Sequence, residues 1–208
     1  MTPTLDLPLR HRFVPATDPV HCPLLLLHST GGDEDDLLPL GRAVAPGAAL
    51  LSPRGAVEEN GMPRFFRRLA EGVFDEADLR RRTAELAQFV DAARRRYELP
   101  APVAVGFSNG ANIAAALLLL RPGVLAGAVL LRAMAPFREA PSATLPGTPV
   151  LLVSGATDPI VPAGSAARLA AQLDAAGAEV AHRVLPAGHG LSAADVAAAS
   201  AWLKGHAR

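Results

Sequence analysis

Short, uninterrupted apolar segments alternate along this chain with longer segments of helical periodicity, and no other feature constrains the fold as much. The apolar segments have the length of β-strands, and each is followed by a turn-forming or polar residue. They span residues 24–27, 48–51, 103–107, 127–131 and 150–154, and a less apolar strand is predicted at 179–185. Continuous apolarity is typical of strands that are covered on both faces, as in a parallel sheet.

The segments between these strands have the periodicity of helices. Helices are predicted over 78–97, 109–120, 165–176 and from 192 to about 206. In the first of them, Leu79, Leu86 and Phe89 share one face, and most of the arginines fall outside it. Strands that alternate with helices predict right-handed crossovers, and therefore an α/β fold with a mostly parallel central sheet and helices on both faces.

Length and charge limit the classes of protein to consider. The chain has 208 residues and a formal net charge of 0, so we expect a single domain over residues 1–208 and no nucleic-acid partner, which would require a basic surface.

The most apolar stretch is interrupted by Arg121-Pro122-Gly123, so no membrane span is predicted. Cys22 has no partner for an internal disulfide, and the first ten residues lack the apolar core of a signal peptide. These features predict a cytoplasmic protein, and they leave both a monomer and a homodimer open.

The most specific motif is Gly106-Phe107-Ser108-Asn109-Gly110, which lies between a predicted strand and a predicted helix. A serine on such a sharp turn is exposed at the edge of the sheet, and side chains two residues before and after it would collide with neighbouring elements. Ser108 would also lie at a helix N-terminus, where free N–H groups favour a developing anion. We therefore predict that Ser108 is a nucleophile; the alternative is an ordinary tight turn.

A serine nucleophile requires a histidine base and a carboxylate that orients it. His189, between two glycines after the late strand, and Asp158, before Pro159 in the loop after 150–154, are the predicted partners. The order Ser108, Asp158, His189 is that of α/β-hydrolases. His28 is the main rival base and is interpreted as structural, and Asp195 is expected to support the start of the last helix.

The developing oxyanion needs two N–H donors. The backbone N–H of Asn109 is one candidate, and that of Thr30, in the loop after the first apolar strand, is the other. The acidic run at residues 33–36 lacks the spacing of a calcium loop, so it is interpreted as the start of a helix.

Together these segments resemble a known family. Leu24-Leu25-Leu26-Leu27-His28-Ser29-Thr30-Gly31-Gly32-Asp33-Glu34 is similar to a segment of the phospholipase/carboxylesterase family of α/β-hydrolases, which includes acyl-protein thioesterases. Ser29 replaces the glycine that usually follows this histidine. Residues 51–55 and 60–68 resemble the bacterial branch, which includes hydrolases linked to quinone and hydroquinone stress.

The resemblance, which covers residues 24–189, implies an α/β-hydrolase fold and the hydrolysis of a small-molecule carboxylic ester or thioester. The chemistry of Ser108, Asp158 and His189 leads independently to the same reaction class, and it needs no metal or organic cofactor. Only residues 132–149 separate two strands where larger hydrolases insert a cap, so we expect no separate cap domain and an open cleft.

Substrate preference is predicted from the segment at 58–75. Its Met62, Phe65 and Phe66 are candidates for the wall of an acyl or aryl pocket, with core packing as an equal alternative. Arg64, Arg67 and Arg68 are expected on a solvated face, although attraction of an anionic substrate stays open. A short or medium acyl group or an aromatic ester is the predicted substrate.

The sequence disfavours three other functions. A non-catalytic α/β-hydrolase-fold binding protein has little reason to keep a serine, an aspartate and a histidine in register. A dioxygenase would need two histidines and a carboxylate at metal-binding spacing, which the sequence lacks. A cysteine-dependent lactone hydrolase is disfavoured because Cys22 is not on the turn that carries Ser108.

Overall fold

The computed structural model describes residues 7–18, 21–162 and 164–206. The strands in chain order are β1 (His11–Val14), β2 (Leu24–Leu27), β3 (Leu50–Pro53), β4 (Val57–Glu59), β5 (Met62–Arg64), β6 (Arg68–Ala70), β7 (Val73–Phe74), β8 (Val103–Phe107), β9 (Gly127–Leu131), β10 (Pro149–Gly155) and β11 (Glu179–Leu185). The helices are α1 (Leu38–Val44), α2 (Glu76–Tyr97), α3 (Asn109–Leu120), α4 (Ser165–Ala175) and α5 (Ala193–His206).

Within these described residues, seven strands form one sheet in the order β1-β3-β2-β8-β9-β10-β11. All neighbouring pairs are parallel except β1 with β3, which is antiparallel. Because their carboxyl ends lie at one edge, the loops after β2, β8, β10 and β11 meet at that edge of the sheet. This is the mostly parallel α/β arrangement predicted from the alternation of segments.

The two faces of the sheet are covered by different helices, which explains the continuous apolar strands. Leu25 and Leu27 of β2 pack on the side of α2, α3 and α4, whereas Leu24 and Leu26 pack on the side of α1 and α5. Since successive side chains of a strand point to opposite faces, every position of β2 must be apolar. All four leucines are fully buried.

Most predicted boundaries agree with the structure, and the differences have local causes. The second apolar segment begins as a strand at Leu50 rather than at residue 48, because Ala48 belongs to a turn in which its N–H donates to the carbonyl oxygen of Ala45 at 3.2 Å. Helix α2 begins at Glu76, two residues earlier than predicted, since the side chain of Asp75 accepts a hydrogen bond from the Asp78 N–H and caps the helix.

The elements that the periodicity did not predict are short. They are β1, two hairpins, β4–β5 and β6–β7, and α1, which begins at Leu38 and not within the acidic run at residues 33–36, where a helix start was expected. Both hairpins lie between β3 and α2, in the segment that contains the candidate pocket residues Met62, Phe65 and Phe66. Residues 132–148, where a cap could be inserted, contain neither a helix nor a strand. Among the described helices, none has the length and apolarity to cross a membrane.

Candidate active site

The predicted nucleophile lies on a strained turn between β8 and α3. Ser108 has φ 52° and ψ −113°, a conformation that non-glycine residues seldom adopt. A Cβ atom at Gly106 would lie 2.6 Å from the carbonyl oxygen of Gly110, and one at Gly110 would overlap the backbone of Leu27. The two glycines therefore let the turn close tightly against β2.

Three predicted site residues from three different loops form one hydrogen-bonded chain. Nε2 of His189 lies 2.9 Å from Oγ of Ser108, and its Nδ1 lies 2.8 Å from Oδ2 of Asp158. The Asp158 side chain is almost entirely buried, and 19% of the His189 side chain is exposed. The ring of Phe107 lies 5.5 Å from that of His189, so the imidazole packs beside the end of β8.

The environment of Asp158 determines where the protons lie in the hydrogen-bonded chain from Ser108 to Asp158. Burial by itself would raise the pKa of Asp158, but hydrogen bonds from the Ile160 N–H, from His189 and from the Val161 N–H outweigh it and lower the pKa below the usual value. An ionised carboxylate only accepts hydrogen bonds, so Nδ1 of His189 must carry the proton it donates. In the neutral ring, Nε2 is then free to accept the hydroxyl proton of Ser108.

The two predicted oxyanion donors lie on different elements. Asn109 is the first residue of α3, so its N–H has no acceptor within the helix. In the loop after β2, the N–H of Gly31 donates to Pro63 at 2.9 Å and that of Gly32 to Ser29 at 3.2 Å. The N–H of Thr30 donates to no group among the described residues, which leaves it available for a ligand.

His28, the rival base, has a structural role. It is 1% exposed, and its Nε2 accepts a hydrogen bond from the Gly55 N–H at 2.9 Å. Nδ1 must then carry the proton, which it donates to the carbonyl oxygen of Ser29 at 2.6 Å. Burial lowers the pKa of His28, which favours this neutral form. The ring thereby fixes the start of the loop that contains Thr30.

Residues 63–65 contact the side chains of both residues whose N–H groups are the predicted oxyanion donors, which no sequence pattern indicated. The Phe65 N–H donates to Oδ1 of Asn109 at 2.8 Å, and Nη1 of Arg64 donates to Oγ1 of Thr30 at 2.9 Å. The expectation that Arg64 lies on a solvated face is wrong: its side chain is 3% exposed and forms an ion pair with Glu59 at 3.0 Å. An arginine near acidic partners looks the same in the sequence whether it is buried or solvated.

For Phe65 and Phe66, the structure favours core packing, the alternative to a pocket wall. Phe65 is 3% exposed and Phe66 is fully buried in the core, where its ring meets that of Phe74 edge to face at 5.0 Å. These two phenylalanines therefore do not line an open cleft, because the hairpin turns them towards the sheet. Met62 is partly exposed, and it packs beside Gly31 in the loop of Thr30.

A cavity of about 330 Å³ lies on the side of Asp158, and its lining contains neither Ser108 nor His189. It includes Ser154 and His182, on β10 and β11, whose side chains are hydrogen-bonded at 2.8 Å. His182 is exposed. This second serine and histidine pair lies on paired strands and not on a strand-to-helix turn.

Comparison with known proteins identifies the family. The family model of phospholipases and carboxylesterases matches residues 12–207. The chain belongs to the phospholipase/carboxylesterase family. MhqD from Bacillus subtilis (strain 168) is 46% identical to this family member over 183 residues, which cover 87% of this chain and 92% of MhqD.

Solved structures agree with the family. The carboxylesterase of Bacillus cereus superposes with a TM-score of 0.94 at 45% identity, covering 97% of this chain and 96% of that one. The carboxylesterase of Mesorhizobium loti gives a TM-score of 0.91 at 35% identity, covering 96% of both chains. This phospholipase/carboxylesterase family member is therefore an α/β-hydrolase-fold enzyme of the esterase type.

Proposed function

We propose that this enzyme is a serine hydrolase that cleaves carboxylic esters through an acyl-enzyme on Ser108, and that residues 1–208 act as one domain. The observation that carries the proposal is the hydrogen-bonded chain from Ser108 through His189 to Asp158. Family membership supports ester hydrolysis as the reaction class. The short distances, 2.9 and 2.8 Å, are those expected of a nucleophile, its base and the group that orients the base.

The first half of the reaction forms the acyl-enzyme. Oγ of Ser108 attacks the acyl carbonyl carbon while Nε2 of His189 accepts the hydroxyl proton, and the carboxylate of Asp158 stabilises the resulting imidazolium. The tetrahedral intermediate then collapses, and the alcohol leaves with the proton from Nε2. A thiol would leave in the same way, so the mechanism extends to thioesters.

The second half repeats these steps with water. His189 accepts a proton from the water as its oxygen attacks the acyl carbon, and the carboxylic acid is released as Ser108 regains its proton. In both halves the backbone N–H groups of Asn109 and Thr30 stabilise the negative oxygen. Each such donor is worth about 3 kcal/mol in the transition state. The cycle uses only these protein groups and water.

The surroundings of the site favour small or medium acyl groups and aromatic esters. The segment at 132–148 builds no cap that could enclose a long chain. Two apolar side chains next to the loops that bear site residues are partly exposed: Met62 of β5, which packs beside Gly31, and Ile160, two residues after Asp158. These offer an apolar surface of limited extent to a substrate.

The test is a Ser108→Ala variant assayed with p-nitrophenyl butyrate and with a fluorophosphonate that labels activated serines. We expect turnover and labelling to be lost while the circular dichroism spectrum and Tm stay close to those of the wild type. Ser154→Ala is the matched control, because Ser154 is also hydrogen-bonded to a histidine but lies on a strand. Turnover that survives in Ser108→Ala, or that disappears in Ser154→Ala, would contradict the proposal.

A further inference from the structure

We propose that Arg132 is a positioning residue for His189: its guanidinium holds the backbone on both sides of the catalytic imidazole and thereby fixes the distance from His189 to Ser108. This inference rests on the proposed function, in which His189 is the base. Nothing in the sequence marked Arg132, which follows β9 in a segment with no other sign of a functional role.

The contacts of Arg132 with the histidine loop are direct. Nε donates to the carbonyl oxygen of Gly188 at 2.8 Å, and Nη2 donates to that of Gly190 at 3.3 Å. No other group among the described residues donates to these two carbonyls. Gly188 and Gly190 have no side chains that could anchor the loop, so Arg132 holds it through their carbonyl groups, next to a hydrogen bond from the Thr157 N–H to the carbonyl oxygen of Ala187 at 3.1 Å.

The guanidinium is itself fixed by a buried ion pair. Nη1 and Nη2 of Arg132 donate to the two carboxylate oxygens of Asp195 at 2.7 and 3.0 Å, and both side chains are fully buried. Asp195 also accepts hydrogen bonds from the N–H and the hydroxyl of Ser192, at the start of α5. The predicted role of Asp195 at this helix start is thus part of a larger network.

Strand β10 supplies the remaining contacts. The backbone N–H of Arg132 donates to the carbonyl oxygen of Val153 at 2.9 Å, and Nη1 reaches the same oxygen at 3.4 Å. A guanidinium has five N–H donors, and here they meet five acceptor contacts. An ammonium group has three donors and no planar fork, so lysine could not make the same set.

The backbone of Arg132 is strained, and the hydrogen bonds of its side chain maintain this strain. Its φ is +58°, in the left-handed region that a long side chain rarely adopts. The five hydrogen bonds of the side chain are the interactions that stabilise this conformation. Strain of this kind persists only where surrounding contacts enforce it, and it is concentrated at functional sites.

Movement of the loop would affect the reaction directly. Asp158 holds the His189 ring at one atom, Nδ1, but the backbone that carries the ring is held through Gly188 and Gly190. A displacement of about 1 Å between reacting groups can cost on the order of 100-fold in rate. Losing the two carbonyl contacts should therefore lower kcat, while KM, which depends on groups that bind the substrate, should change little.

Two variants test the assignment, with kcat expressed per folded molecule as quantified by circular dichroism, so that unfolded molecules do not count. Arg132→Lys keeps the charge opposite Asp195 and loses the fork. The double variant Arg132→Met with Asp195→Asn removes both buried charges together, which avoids an unpaired carboxylate and favours folding. For both we expect a kcat roughly 100-fold below the wild type and a KM within about threefold of it.

Two further measurements separate positioning from general stability. Leu203→Ala, at the far end of α5, removes buried apolar packing and should lower Tm without changing kcat. In the proton NMR spectrum, the resonance of the proton on Nδ1 of His189 should shift or broaden in the Arg132 variants but not in Leu203→Ala. Partial recovery of kcat by guanidinium ion at millimolar concentration in Arg132→Ala would also support the assignment.

Failure of the inference can be distinguished from failure of the proposed function. An inactive Ser108→Ala together with Arg132 variants whose kcat stays within threefold of the wild type would overturn the role of Arg132 alone. A decrease in kcat for Leu203→Ala equal to that of the Arg132 variants would also overturn it. Full turnover in Ser108→Ala would overturn the proposed function and the role of Arg132 with it.

Discussion

The backbone N–H of Phe65 donates a 2.8 Å hydrogen bond to the side-chain oxygen of Asn109. This contact joins hairpin β4–β5 to the turn that carries Ser108, although 44 residues separate the two in the sequence. The same hairpin holds the loop of Thr30 through Arg64. The end of hairpin β4–β5 therefore forms a hydrogen bond to each of the two residues whose N–H groups are the predicted oxyanion donors.

The first prediction concerns this contact. Asn109→Ala should leave the buried N–H of Phe65 without an acceptor, which costs about 1–3 kcal/mol of stability. Because the turn that carries Ser108 loses its hydrogen bond to the hairpin, kcat should fall as well, although the backbone N–H of residue 109 is still present. Thermal unfolding and ester turnover measure the two effects separately.

Asn112→Ala is the control for this prediction. Oδ1 of Asn112 accepts from the Met134 N–H at 2.8 Å, so the variant removes an equivalent bond one turn later in α3. It should cost similar stability and leave kcat closer to that of the wild type. Equal kcat in the wild type and Asn109→Ala would show that the hairpin does not position the turn.

The second prediction concerns acyl chain length. Across p-nitrophenyl acetate, butyrate, decanoate and palmitate, kcat/KM should be highest for the short and medium chains, because residues 132–148 build no cap over the site. Met62→Ala should reduce kcat/KM for butyrate more than for acetate, since it removes apolar surface beside Gly31. A steady rise in kcat/KM up to palmitate would refute the preference.

The third prediction concerns the pH dependence of stability. Burial would raise the pKa of Asp195, but hydrogen bonds from the Arg132 guanidinium and from the Ser192 hydroxyl and N–H lower it below the ordinary value. The stabilisation by ionised Asp195 is therefore fully present above the pKa of the unfolded chain, about 3.9, and is lost as pH falls through the lower folded value.

The comparison of wild type with Asp195→Asn measures this effect. At pH 7 the variant should be less stable by about 3–5 kcal/mol, because the buried guanidinium loses its counter-charge. That difference in the free energy of unfolding should shrink as pH falls below about 4, where Asp195 of the unfolded wild-type chain becomes protonated. A difference independent of pH down to acid unfolding would contradict the assignment of the ion pair.

Local patterns were enough to predict the framework of the fold. The predicted strands β2, β8, β9 and β11 and the helix α3 have the observed bounds. For β2, β8 and β9 the physical reason is that strands covered on both faces must be apolar at almost every position. The short elements escaped prediction because hairpins β4–β5 and β6–β7 are too brief to show a periodicity.

The sequence by itself also assigned Ser108, Asp158 and His189 to the ends of three different strands, and a parallel sheet brings its carboxyl ends to one edge. Their catalytic roles remain predictions. Only the tertiary structure decided which charged and aromatic side chains are buried: Phe66 in the core, Arg64 against Thr30, and Arg132 beneath His189. These contacts join residues that are distant along the chain, and burial of a charge depends on partners that no local pattern reveals.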